Sequence, residues 1–255
     1  MCPRFLSSNI IYFQENLPPK ASESQLKAER LDHVRPVSPT VTVTSDNKNE
    51  EDMEAAWIPS SASREVFRAI TNTSGSFFPT RDQLTLPGVS AGSLQGDPVR
   101  DAVSKYQGDA EASKRQVLGC DGVTADTRGL HRLIASGNYR SAVNMTSQLL
   151  ELYGQGQGQA GHASKHSHTS LQIWWIRFAL LVKLRQFSTA EAEAGPFGDL
   201  DNPDMFYQYY PELYPNRQGS LATWSLRLLL AELPMYNNKP VLAMNKLFKL
   251  RRIIR

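Results

Sequence analysis

Along residues 127–153 apolar side chains recur at the spacing of one helical face. Tyr139, Ala142, Val143, Thr146, Leu149, Leu150 and Tyr153 follow the i, i+3, i+4, i+7 rule, and Gly154 supplies a stop. The preceding "GLHRLIASG" predicts a short helix ended by Gly137, so two helices meet at a tight turn. The stretch "SLQIWWIRFALLVKL" from Ser170 has a different pattern. Ile173, Trp174, Ile176, Phe178, Leu180, Leu181 and Leu184 spread over more than one face, which predicts a helix buried on several sides. "SLATWSLRLLLAEL" from Ser220 repeats that pattern. In a solenoid the first helices of successive hairpins lie side by side and are sandwiched, and these two segments fit that place.

A short hairpin cannot bury both its faces, which directs attention to repeats. "SGNYRSA" places Gly137, Tyr139 and Ala142 at relative positions 0, +2 and +5. "LRQFSTA" places Arg185, Phe187 and Ala190 in the same register, and "NNKPVLA" places Asn238, Pro240 and Ala243 there. Each unit follows one helix and opens another. The alanine stands where two helices approach closely, and Trp174 is the leading aromatic of the second unit. This is the inter-helix signature of a tetratricopeptide repeat in degenerate form. The alanines are 48 and 53 residues apart, against a standard period of about 34. Insertions at 154–170 and 195–219 explain the excess. The predicted fold is therefore all-α: a degenerate tetratricopeptide-like α-solenoid of helical hairpins over 127–255.

The two insertions differ in kind. "GQGQGQAGHASKHSHTS" is glycine, glutamine, serine and histidine, and a mobile loop is expected. "DNPDMFYQYYPELYPNRQG" packs five aromatic residues and three prolines into nineteen positions. Aromatic area anchors a loop and proline lowers the entropy lost on fixing it, so an ordered Ω-like loop is expected, tyrosine hydroxyls outward. Phe206, Tyr207, Tyr209, Tyr210, Tyr214 and Arg217 are also the candidate partner-binding residues, because tyrosine is enriched at interaction hot spots.

Upstream the signals weaken. Residues 1–55 are rich in Pro, Ser, Thr and charge, which predicts a disordered segment; Ser38 before Pro39 is there either a phosphate acceptor or simply a tail residue. Residues 56–126 read as a linker with short helices. Ser63 is a plausible N-cap, "RDQLTLPGVS" is extended, and "DPVRDAVSKYQGDAEASKRQVL" is a helix pair or one broken helix starting at Pro98.

Composition adds mainly exclusions. A net charge of +3 over 255 residues makes no case for nucleic acid. Two cysteines, Cys2 and Cys120, are too few for a disulfide scaffold. The N-terminus lacks a secretory signal and the longest apolar run is too short and too charged to span a membrane, so a cytoplasmic protein with indirect membrane contact is expected. His162, His166 and His168 cluster, but no cysteine or carboxylate stands at ligand spacing, so no metal site is expected. "GQGQGQAG" lacks the Lys-Ser/Thr of a nucleotide loop. Neither an enzyme nor a cofactor is predicted. "KLFKLRRIIR" carries Lys246, Lys249, Arg251, Arg252 and Arg255 beside Leu247, Leu250 and Ile254. It is a solenoid helix lacking its next neighbour, or a basic amphipathic helix.

"LIASGNYRSAVNMTSQLL", "SLQIWWIRFALLVKL", "PFGDLDNPDMFYQYYPELYPNRQGS" and "AAWIPS", with "RDQLTLPG" and "KRQVL" between them, resemble the trafficking protein particle (TRAPP) complex subunit 12 family over roughly residues 55–250. The resemblance implies a non-catalytic scaffold subunit of a TRAPP III vesicle-tethering assembly, acting between endoplasmic reticulum and Golgi and contacting other TRAPP subunits. It also implies further repeats after the point where this sequence stops, hence a truncated form or fragment that self-associates through its uncovered end. The alternative is a tetratricopeptide co-chaperone adaptor that clamps a peptide carboxylate. Its first helices would offer Arg177, Lys183 and Arg227 for that purpose, among bulky apolar residues that fill the groove.

Overall fold

The hairpin turns set the architecture. The structure, a computed structural model, describes residues 55–72, 77–115 and 117–253. The expectations for the N-terminal segment, Cys2 and Ser38 among them, and for Ile254 and Arg255 lie outside the described residues. The described helices are α1 (Ser61–Asn72), α2 (Pro98–Gln107), α3 (Asp109–Lys114), α4 (Thr127–Ala135), α5 (Tyr139–Glu151), α6 (His168–Lys183), α7 (Phe187–Ala194), α8 (Trp224–Tyr236) and α9 (Pro240–Ile253). Among the described residues there is no strand; Val89 bridges to Gln157 and Phe206 to Ser220 as isolated pairs. The fold is all-α and solenoid-like, as expected.

The three turns share one geometry. Gly137, Arg185 and Asn238 all have left-handed backbones, with φ of 76°, 59° and 58°. In each turn this residue donates its N–H to the carbonyl three residues back, and the next residue donates to the carbonyl five back: Asn138 to Leu133, Gln186 to Leu181, Lys239 to Pro234. Those two bonds define a helix C-cap that satisfies the last free carbonyls. Gly137 adopts the conformation without steric cost and Asn238 tolerates it, whereas Arg185 holds it against the preference of its side chain. Ala142, Ala190 and Ala243 are buried to 0%, 0% and 2% exposure, so the small residue marks the close approach of each hairpin's helices.

Stacking follows chain order. α5 packs on α4 and α6, α6 also on α7 and α8, and α8 on α7 and α9. α6 is the centre, with eleven of its sixteen residues buried, which is why it shows no single apolar face. Trp174 is fully buried, while Tyr139 and Phe187 are half-buried at the hairpin turns. Lys183 lies 4.5 Å over the Tyr139 ring, and Phe187 stacks on Tyr236 with centroids 5.3 Å apart. Pro240 opens α9, where its missing N–H costs nothing.

α9 is covered on one side only. Ala243 is buried and Leu247 and Leu250 are half-buried, whereas Val241, Met244 and Phe248 are 70%, 55% and 53% exposed. Upstream, Asp97 caps α2 by accepting from the Val99 N–H, with Pro98 in the first turn as expected. Ser63 does not cap α1. Ser60 accepts from the Ser63 N–H at 3.2 Å, while Ser63 is buried and donates its hydroxyl to the Asp201 carbonyl at 2.9 Å. Packing against the aromatic loop claimed that hydroxyl, and the cap moved back to Ser60.

Candidate interaction site

The aromatic loop is built on short 3₁₀ turns at Gly195–Phe197, Pro203–Met205 and Tyr207–Tyr209. Two of them start with or contain a proline, whose fixed φ suits a tight turn. Phe197 is fully buried: its ring meets Trp174 at 5.4 Å and Phe178 at 5.9 Å. Phe206 lies edge-on to Phe67 of α1 at 6.1 Å. The predicted partner-binding residues divide into two groups. Phe206, Tyr207 and Tyr210 are buried to 1%, 1% and 7%, so they anchor the loop. Tyr209 and Tyr214 are half-buried and Arg217 is exposed, with its guanidinium 4.3 Å over the Tyr207 ring. These last three form the outer crest, with Leu213 43% exposed beside them. Burial, with the Asp204 charge nearby, pushes the Tyr209 hydroxyl up to about 12.

Not every tyrosine hydroxyl points outward. Tyr210 turns inward and its oxygen accepts the His166 backbone N–H at 3.0 Å; burial raises its pKa well above the ordinary value. This contact opens onto a buried polar cluster. Asp204 Oδ2 accepts from the Thr85 N–H (2.9 Å) and hydroxyl (2.7 Å), and His166 Nε2 is 2.6 Å from the same hydroxyl. The Gln155 amide lies 3.4 Å from His166 Nδ1 and accepts from the Trp174 indole at 2.7 Å. Thr85, Gln155, His166 and Asp204 are exposed by 2% or less. A hydroxyl, an imidazole and a carboxylate thus meet, all of them buried. They form a latch. It ties an upstream segment, both insertions and α6 into one body through hydrogen bonds that are strong inside a low-dielectric core, while Asp204 Oδ1 is buried without a partner.

This latch overturns the expectation of a mobile first insertion. Gln155 and His166 lie at its two ends and are both buried, so hydrogen bonds fix a segment whose composition signals flexibility. It also separates the histidines: His166 is in the core and His168 is exposed as the first residue of α6. Among the described residues no three His, Cys, Asp or Glu side chains converge.

Two basic residues of the helices, Arg177 and Arg227, face inward too. Arg177 is fully buried and forms a two-pronged pair with Glu193, at 2.6 and 2.9 Å; its Nη1 donates to Val143 O, Thr146 Oγ1 and Ser147 Oγ. Arg227 donates to Leu200 O and Ser220 Oγ, with its guanidinium 3.4 Å from the Trp57 ring centre. Of the three cations named for a carboxylate clamp, Arg177 and Arg227 are committed to the fold, and Lys183 is exposed against the Tyr139 ring. Sequence reasoning missed Thr85, Gln155, Glu193 and Asp204. One signal was present: an arginine inside an apolar helix calls for a buried carboxylate.

No family model matches the chain, and no solved structure matches it. Among curated proteins it is 39% identical over 245 residues to trafficking protein particle complex subunit 12 of Homo sapiens, covering 92% of this chain and 33% of that protein. The subunit 12 protein of Mus musculus is 42% identical over 199 residues, covering 78% of this chain and 25% of that protein. The chain is a relative of the trafficking protein particle complex subunit 12 proteins. It spans a third or less of the length of these curated relatives. A match over 92% of the chain leaves too few residues at the ends to omit the aromatic loop or its latch.

Proposed function

We propose that the chain is a non-catalytic scaffold segment of a TRAPP III-type vesicle-tethering complex acting in endoplasmic reticulum to Golgi transport. The observation that carries this reading is the similarity to subunit 12 proteins over nearly the whole chain. The architecture agrees with it: tetratricopeptide-like hairpins locked by buried polar latches make a rigid body, and a rigid body suits protein–protein contact. Its partners are other TRAPP subunits, and it binds no nucleic acid. Tyr209, Tyr214 and Arg217 form the contact crest of the aromatic loop, with Phe206, Tyr207 and Tyr210 holding it in shape. The protein works in the cytoplasm, peripheral to the Golgi and the ER–Golgi intermediate compartment, and meets membranes through partners. No described helix is long and apolar enough to cross a membrane. The exposed Val241, Met244 and Phe248 of α9 favour self-association of this chain when no partner covers them.

Affinity purification of the tagged chain followed by mass spectrometry tests the proposal. TRAPP subunits are the expected co-purifying proteins, and the triple variant Tyr209→Ala, Tyr214→Ala, Arg217→Ala is expected to lose at least one of them. Recovery of chaperones alone would support the adaptor reading, and recovery of neither would overturn both.

A further inference from the structure

Between Thr85 and Gln95 the chain runs extended across the hairpins without joining a sheet, and other segments take up its backbone groups one after another. The Thr85 N–H goes to Asp204. The Val89 N–H is shared by the carbonyls of Gln155 and Gly156, at 3.3 and 3.1 Å. The Ser90 and Ala91 N–H groups both donate to Glu193 Oε1, at 2.9 and 3.0 Å. Asn144 reads Leu94 twice: its Oδ1 accepts the N–H at 2.8 Å and its Nδ2 donates to the carbonyl at 3.1 Å. Arg140 donates to the Gln95 carbonyl at 2.6 Å. The reading groups come from α5, α7 and both insertions.

Main-chain bonds of this kind give affinity for an extended peptide, and pockets between them give specificity. The groove has such pockets. Val89 is 2% exposed. Gly88 tolerates no side chain, since a Cβ there would lie 2.2 Å from the Ala160 nitrogen. After Val89, Ser90 and Ala91 are small where Glu193 reaches over them. Leu86, just before, has a left-handed backbone with φ of 45°, a strained conformation for a side chain of its kind. The strap is therefore bound tightly by its backbone while carrying local strain of its own.

We infer that this groove is a peptide-binding site which the chain fills with Gly88–Gln95 of its own strap, Thr85 staying in the latch, and that an extended partner segment reading Gly, small aliphatic, small, small takes the place of those residues. The site recognises main chain, not a terminal carboxylate, which sets it apart from the co-chaperone mode. It does not depend on the tethering reading. When the strap leaves, Glu193 stays ordered by Arg177, so its Oε1 remains aimed at the incoming N–H groups.

The test uses the full chain and a fluorescein-labelled peptide with the sequence of residues 81–96. Gly88→Val pushes the strap against the Ala160 backbone while leaving every reading group in place. The peptide is expected to bind this variant at least about tenfold more tightly than the wild type by anisotropy. Adding Asn144→Ala should remove the gain, and a peptide carrying valine at the Gly88 position should not bind. Absence of binding to a Gly88→Val chain with wild-type helicity overturns the proposal. If that variant does not fold, amide exchange on the wild type decides. Ser90, Ala91 and Leu94 exchanging together, at least about tenfold faster than α6, marks a strap that opens by itself. Exchange at the rate of α6 makes the strap part of the core and ends the idea.

Discussion

Residues 154–170 are mostly glycine, glutamine, serine and histidine; residues 195–219 are dominated by aromatic rings and proline. Both are insertions between hairpins, and both end at the same buried place, where His166 of the first meets Tyr210 and Asp204 of the second. The aromatic loop is held by area: Phe197, Phe206 and Tyr207 fill the space between α6 and α1 whatever their exact hydrogen bonds. The polar loop is held by direction, through Gln155 and His166, each satisfied by particular atoms across the chain. Area is legible in composition. Direction depends on which distant atoms arrive, so the composition of the polar loop misleads.

The largest expected effect tests the loop held by area. Replacing Phe206 and Tyr210 together by alanine should cost about 3 kcal/mol or more in denaturant unfolding, because two buried aromatics leave cavities and His166 N–H loses its acceptor. A double variant with the wild-type midpoint would show that the loop contributes nothing to stability.

A smaller effect is expected from the loop held by direction. Thr85→Val removes the hydroxyl shared by His166 and Asp204 and leaves a buried carboxylate short of a donor, at a cost of about 1–3 kcal/mol. His166→Ala should fall in the same range and should raise amide exchange in 155–166 selectively. If either variant costs more than the aromatic pair, polar direction rather than apolar area is the main anchor.

The smallest effect lies at the outer rim of the aromatic loop, where Asp199 holds Lys249 of α9 at 2.6 Å in the open. Its hydrogen bond to Lys249 keeps the Asp199 carboxyl below its ordinary 3.8. A carboxyl lowered on folding stabilises above its unfolded value and loses that contribution as pH falls through the lowered folded value. The tether should therefore be intact at neutral pH and lost only below about pH 3.8. Lys249→Ala should cost less than about 1 kcal/mol at neutral pH, since both groups are solvated. It should weaken the acid-dependent loosening of α9 seen by exchange without abolishing it, because Lys246 also pairs with Asp199 at 3.7 Å. A loss several times larger would mean that surface charge rather than packing fixes α9.

The turn residues at 137, 185 and 238, the alanines five residues on and the all-round apolar character of α6 were written in the sequence by itself. Each is settled within six residues or by one helix's own pattern, since a left-handed cap bonds only its local carbonyls and a sandwiched helix needs apolar groups on every side. The ordering of the aromatic loop was legible for the same kind of reason. Only the tertiary structure decided the rest. Thr85, His166 and Asp204 are 81 and 119 positions apart in pairs that touch. Ser60 became the cap of α1 because Asp201 took Ser63, and residues 85–95 became a strap because Glu193 and Asn144 reach across to it. A buried hydrogen bond needs its partner within an ångström or so of a fixed place, and no local pattern records which distant residue will stand there.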